Sequence, residues 1–295
     1  MRGRMARLVA CIASMLIWGA SFVGTRVAYG SLTPLWLAFL RFAIASAVLL
    51  PYLALRHTTL PKGRSLLMCV ASGIVGITCY YAAENLGVKL TSASVASIVT
   101  ASFPAIGLLV EAAVRRTAPG VRPFIGALIS LLGVAILTAD GAQTGKTRLW
   151  GIAILIVAGV LWGLYNLLVQ GAGEGTDVLE ITGVQFLVGT VGFMPLLALE
   201  PVPSVPSVLG VWPALAFLSL GCSLAAYLFY NWALEGLSAS TCSAMLNLIP
   251  IFGVVLSTVL LGETLDAYKI VAGIVTLAGI WVSASGKKDV APSAQ

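Results

Sequence analysis

The chain contains itself twice. Trp18-Gly19 returns as Trp162-Gly163, Arg41-Phe42 as Gln185-Phe186 and Pro51 as Pro195, each 144 residues later. Ser92-Ala93-Ser94 returns as Ser238-Ala239-Ser240 and Pro104 as Pro250, each 146 later. Such a chain is expected to fold as two related halves, 1–143 and 144–288, followed by a disordered tail over 289–295. Each half holds an odd number of apolar runs. The second half is therefore predicted to lie inverted in a membrane relative to the first, the architecture that alternating-access transporters use.

The apolar runs set the fold class. Crossing about 30 Å of hydrocarbon takes about 20 residues of helix. Ten runs qualify, at about 8–29, 32–55, 65–84, 91–114, 122–139, 149–170, 178–199, 208–234, 239–261 and 267–285. They are continuous rather than alternating, and an open sheet would leave backbone groups unsatisfied in lipid, so an all-α membrane protein of ten helices is expected. With 59% hydrophobic and 9% charged residues, the chain has too little polar surface for a soluble globule of 295 residues. The first run follows Met1-Arg2-Gly3-Arg4 without a small-residue cleavage site and is read as a retained span, not a signal peptide.

Lysine and arginine orient the spans. With the N-terminus inside, Arg2, Arg4, Arg7, Arg56, Lys62, Arg64, Arg115, Arg116, Arg122, Lys287 and Lys288 collect on the inner side. Only Lys89, Lys146, Arg148 and Lys269 fall outside. Both termini are expected in the cytoplasm of a cell whose inner membrane holds the protein. The net charge of +6 then reflects topology and contact with the lipid bilayer, not nucleic acid.

Several polar or kinking residues inside the spans are candidates for a pathway. Pro104 and Pro250 lie midway along spans four and nine and free the carbonyls of Thr100 and Leu246, so each is read as a hinge or as a packing kink. Asn247 stands three residues before Pro250 and adds a polar group. Tyr81 with Asn85 and Tyr227 with Asn231 are matched pairs four residues apart, each on one helix face. They suit a small molecule with an apolar body and a polar end, or serve as interfacial anchors, and their positions near opposite span ends suggest two gates. Trp18 and Trp162 lie deep in spans one and six, with Tyr165 and Asn166 beside the second, and either line a cavity or pack against neighbouring helices. Arg41 sits roughly 13 Å into span two at about 1.5 Å per residue. An arginine at such depth costs at least about 2.5 kcal/mol. It is expected to hold a cargo carboxylate, to snorkel, or to pair with Glu84.

Absences narrow the function. Glu84, Glu180, Glu200 and Glu235 all fall at span ends, which argues against proton-coupled antiport and favours facilitated flux. The lone histidine, His57, lies in a loop, and HExxH and GxSxG motifs are missing, so no catalytic residue, cofactor or metal site is predicted. The five cysteines lie inside apolar runs without a CxxC pair. Nucleotide sugars or phosphorylated metabolites would call for several cations inside the spans, and only Arg41 qualifies. A scaffold or receptor would leave the duplication unexplained. Gly126, Gly133, Gly273 and Gly279 are expected to serve packing within the chain or a homodimer.

Ten runs in two halves, the paired Trp-Gly, the Ser-Ala-Ser entries with their prolines, and Gly262-Glu263 after span nine together resemble the drug/metabolite transporter superfamily, in particular its EamA-type exporters. The first half departs from the pattern, with Arg116-Thr117 where the second has Gly262-Glu263. The resemblance implies a ten-helix fold and export of small metabolites such as amino acids. Among subgroups, the chain looks most like bacterial exporters of aromatic amino acids.

Overall fold

Apolar runs with few breakers produce helices, and among the described residues every regular element is helical. The structure, a computed structural model, describes residues 2–56, 60–137, 146–172, 177–234 and 245–284. In chain order they form α1 (Arg2–Ala28), α2 (Pro34–Leu55), α3 (Gly63–Leu90), α4 (Ala93–Ala101), α5 (Phe103–Arg115), α6 (Val121–Ile136) and α7 (Lys146–Gly171). There follow α8 (Val178–Phe193, continued as a 3₁₀ turn over Met194–Leu199), α9 (Val205–Gly210), α10 (212–234), α11 (Leu248–Leu261) and α12 (Ala267–Ala284). Six are long and apolar enough to cross a bilayer, and the pair α4 and α5 makes a seventh. α6, α11 and α12 are shorter apolar helices. The Ser238-Ala239-Ser240 motif, Glu235, Cys242, His57, Lys287, Lys288 and the tail over 289–295 lie outside the described residues.

Two departures from the sequence reading concern where helices stop and bend. Span three was expected to end at 84, but α3 runs on to Leu90, so Glu84 and Asn85 lie within a helix and not at its end. Span four breaks at Ser102, and Pro104 falls in the first turn of α5, where a missing N–H costs nothing. The two pieces meet at 42°. Pro250 likewise lies in the first turn of α11. Within α3, Ile74–Cys79 winds as π-helix, and so does Phe217–Ala225 of α10, which overlaps it when 146 is added. Such bulges cluster at functional sites.

Carboxylates of the second half cap helix starts in the first. Glu200 Oε2 accepts from the N–H groups of Leu35 (2.9 Å) and Trp36 (3.3 Å) at the start of α2. Glu263 accepts from the N–H groups of Ala93 and Ser94, each at 2.9 Å, and from Ser94 Oγ at 2.5 Å. Burial pushes the Glu263 carboxyl up, but bonds from Ser94, Ala93 and Ser92 outweigh it and hold the group below its ordinary value. α5 ends on Arg116 (φ +53°) and α11 on Gly262 (φ +65°), matched positions that both take the left-handed cap conformation.

The halves interlock through glycines. Gly163 on α7 lies against Gly107 and Val110 of α5, and Gly19 on α1 against Ile249, Phe252 and Gly253 of α11. These are equivalent contacts, since Gly19 matches Gly163 and Gly253 matches Gly107. α6 and α12 pack most closely. A Cβ on Gly126 would overlap the backbone of Gly279 and Ser283, and one on Gly133 the backbone of Thr276 and Ala272. Three of the four candidate glycines are thus used within the chain, while Gly273 has open space around it.

Some residues meet their own counterparts. The rings of Phe42 and Phe186 stand 5.3 Å apart. Ser46 Oγ lies 3.3 Å from Thr190 Oγ1, and Thr276 Oγ1 is 3.5 Å from the Ser130 carbonyl. The contacts advance along one helix as they retreat along the other. Leu53 reaches Gly183 while Ser46 reaches Thr190, and Gly126 faces Gly279 while Gly133 faces Ala272. α2 with α8, and α6 with α12, are therefore antiparallel pairs.

Candidate functional site

The centre of the molecule is a chain of aromatic rings drawn from both halves. Successive centroids run from Trp18 to Tyr227 (5.3 Å), then Phe186 (6.3 Å), Phe42 (5.3 Å), Tyr81 (4.6 Å), Tyr80 (4.8 Å), Trp162 (5.2 Å) and Tyr165 (5.0 Å). Each such pair contributes about 0.5–1.5 kcal/mol beyond its buried area. Tyr81 and Tyr227, expected near opposite span ends, lie in the same chain of rings, linked through Phe42 and Phe186. The longer α3 contributes to this, because Tyr81 sits nine residues from its end at Leu90, well inside the helix.

Arg41 enters this core from α2 and is 4% exposed. Its Nε donates to Ser223 Oγ at 2.7 Å and one Nη to Tyr81 at 3.5 Å. Its guanidinium carbon lies 4.7 Å from the Tyr81 ring centroid and 5.4 Å from that of Phe42. Ser223 belongs to the π segment of α10 and donates in turn to Leu218 O, five residues back, at 3.1 Å. The wider helical turn thus presents a hydroxyl to the arginine. No carboxylate comes within 4.0 Å of Arg41 among the described residues, so the expected pairing with Glu84 does not form as an ion pair. Burial also rules out snorkelling. The counterpart Gln185 makes a neutral version of the arrangement, donating from Nε2 to Ser72 Oγ on α3 at 2.8 Å, with the Tyr165 hydroxyl 3.4 Å from its Oε1.

Several of the remaining candidates make contacts of their own. Trp18 Nε1 donates to Cys222 O at 3.0 Å, so this indole packs against α10 as well as joining the ring chain. Asn85 is buried, gives its side-chain Nδ2–H to Pro34 O at 3.0 Å, and its backbone carbonyl accepts from the Tyr29 hydroxyl at 2.5 Å. It ties α3 to the start of α2 and lies outside the core site. Asn166 is exposed and apart from the ring chain, and Asn247 precedes α11 without a side-chain capping bond. The side chain of Asn231 lies outside the described residues. Pro104 is exposed and Pro250 buried, with Ser97 Oγ donating to the Pro250 carbonyl at 3.1 Å. Sequence reasoning missed Tyr80, Ser223 and Gln185 as members of the site. The repeat register flagged Gln185 as the equivalent of Arg41, whereas Ser223 carries no signal apart from the π-helix.

Cavities flank the core. One of about 230 Å³ opens between the ends of α2 and α8, lined by Leu50, Leu53, Leu60, Glu180, Gly183 and Leu187. Another of about 180 Å³ lies at the opposite end among Thr91, Ser92, Arg148 and Lys269. No group of three or more potential metal ligands occurs among the described residues.

Membrane-length helices around a core that holds a buried guanidinium define the frame of a multi-pass membrane protein. The model of the EamA-like transporter family matches twice, over residues 5–139 and 149–285, and the chain belongs to that family. An uncharacterized transporter of Archaeoglobus fulgidus is 29% identical over 92% of this chain and 94% of its own length. The uncharacterized inner membrane transporter YedA of Escherichia coli K12 is 26% identical over 93% of this chain and 89% of its own. A probable terminal-alkyne amino-acid exporter of Streptantibioticus cattleyicolor is 23% identical, covering 92% and 91%. A solved crystal structure shares the fold with a TM-score of 0.63 at 19% identity, over 94% of this chain and 96% of the other.

Proposed function

We propose that the protein is an inner-membrane exporter of amino acids, aromatic ones favoured, working by facilitated alternating access through ten helices arranged as two inverted repeats of 1–143 and 144–288. The carrying observation is Arg41, a buried guanidinium without an ion-pair partner among the described residues, seated on the rings of Phe42 and Tyr81, with Phe42 in turn against Phe186 of the second half. A cargo carboxylate supplies the missing charge in bidentate fashion, and the rings of Phe42, Trp162 and Trp18 take an apolar side chain. Self-counterpart contacts in antiparallel pairs support the inversion, because a two-fold axis perpendicular to both helices produces that pattern. The bend at Ser102 and the first-turn prolines Pro104 and Pro250 support hinges at those points. The basic loops support cytoplasmic termini, and the Escherichia coli relative supports the inner membrane. The amino-acid exporter among the relatives supports the cargo class.

The test is uptake of labelled tryptophan, threonine and UDP-glucose into proteoliposomes, with and without a pH gradient. Saturable tryptophan flux that ignores the gradient is expected, with a raised KM for tryptophan in Arg41→Gln. Flux of UDP-glucose alone, or flux only with a gradient, would overturn the cargo or the facilitative mode respectively.

A further inference from the structure

A charge opposite to Arg41 lies close to it and does not touch it. Glu84 is one helical turn beyond Tyr80, whose hydroxyl donates to Glu84 Oε1 at 2.6 Å, and three residues beyond Tyr81, whose ring carries the guanidinium. Tyr80 and Tyr81 are themselves in edge contact at 4.8 Å. Glu84 is half-buried, and the acid and the guanidinium are carried by adjacent residues of the same tyrosine pair, so they belong to one neighbourhood. Yet the ion pairs among the described residues are Arg115–Glu111 and Lys269–Asp266, both elsewhere. Each central charge is held instead by neutral hydroxyls, Ser223 and Tyr81 for Arg41 and Tyr80 for Glu84.

Two opposite charges in a poorly solvated core gain by closing into a salt bridge, because an uncompensated buried ion costs several kcal/mol. Held apart on a rigid pair of tyrosines, they present the complement of a molecule that carries both charges itself. We propose that Glu84 is the receptor for the ammonium group of a zwitterionic cargo whose carboxylate goes to Arg41. This inference rests on the central core being the cargo site. Tyr80 fixes one oxygen of Glu84 and so aims the carboxylate, while Ser223 fixes Nε of Arg41 and Tyr81 takes one Nη N–H, leaving the remaining Nη N–H groups for the cargo. An anion without an amine leaves Glu84 repelling it, and an amine without a carboxylate meets Arg41. Selectivity for intact α-amino acids follows from both ends, with Phe42 and Trp162 beside them for the side chain.

The experiment is counterflow of labelled tryptophan in proteoliposomes, competed by unlabelled tryptophan, by indole-3-propionate, which lacks the amine, and by tryptamine, which lacks the carboxylate. The wild type is expected to prefer tryptophan over both analogues by about tenfold or more. In Glu84→Gln the preference over indole-3-propionate collapses towards unity while indole-3-propionate itself competes as well as before or better. In Arg41→Gln the preference over tryptamine collapses instead. Glu84→Asp, which keeps the charge but draws it back by one methylene, is expected to lose several-fold of the first preference and keep the second. A tryptophan to indole-3-propionate ratio unchanged in whichever Glu84 variant is recovered folded, with flux intact, overturns the assignment of Glu84. Absence of any amino-acid flux in the wild type overturns instead the reading of the core as an amino-acid site.

Discussion

Truncating Glu263 to alanine removes a carboxylate that accepts three hydrogen bonds at the start of α4, from Ala93 N–H, Ser94 N–H and Ser94 Oγ. Bonds to a charged group contribute about 1.5–3 kcal/mol each when water is excluded. Glu263 is partly exposed, so water takes over some of the abandoned donors. The loss of a helix cap, about 1–2 kcal/mol, plus the loss of a negative charge at a helix start, about 0.3–1 kcal/mol, brackets the net effect near 2 kcal/mol. At about 2–4 °C per kcal/mol for a chain of this order, Glu263→Ala lowers the melting temperature of the purified protein by about 4–8 °C. The sign of the pH dependence follows from the carboxyl being held below its ordinary value of 4.5. Its contribution is complete above 4.5 and is lost as pH falls through the lower folded value, so the gap between wild type and variant is constant near neutrality and closes only in acid. A shift under about 1 °C at pH 7, or a gap that closes between pH 8 and 6, refutes the reasoning.

Further outcomes follow from backbone and packing. Gly126→Ala forces a methyl onto the backbone of Gly279 and Ser283, and the overlap costs about 1–3 kcal/mol by overpacking; Gly273→Ala, in open space within α12, raises melting by the equivalent of about 0.4–1 kcal/mol in the same assay. Arg116→Gly relieves a left-handed conformation that its match Gly262 adopts freely, and stabilises the protein by about 0.5–1 kcal/mol on thermal melting. Trp18→Phe removes the donor to the Cys222 carbonyl and costs about 1 kcal/mol, read as a lower melting point with the ring contacts to Tyr227 and Tyr230 retained.

Helices of the first half were legible because their apolar runs are long, and the errors fell where a helix continues through polar residues. Glu84, Asn85 and Lys89 lower the hydropathy past residue 84, but Asn85 bonds across to Pro34 and Arg26 donates to the carbonyls of Val88 and Lys89, so the helix holds to Leu90. That extension puts a half-buried Glu84 inside α3, where the sequence placed it at an end. The register of the repeat aligns Phe42 with Phe186 and Tyr81 with Tyr227, yet says nothing of the contact between the two phenylalanine rings, because contact depends on where helices cross. Ser223 was invisible for a different reason: a π turn re-aims a side chain without changing composition.

Phe42 against Phe186 and Ser46 against Thr190 are each a residue facing its own copy. In an assembly of two identical chains built this way, an arginine at position 41 would arrive twice in one enclosed core, and two like charges a few ångströms apart repel by about 4 kcal/mol even with substantial screening. Fusion into one chain removes that penalty, since Arg41 can stand opposite the neutral Gln185. The single gene thereby permits a core with one positive end, and hence a preferred direction in which a cargo molecule can lie.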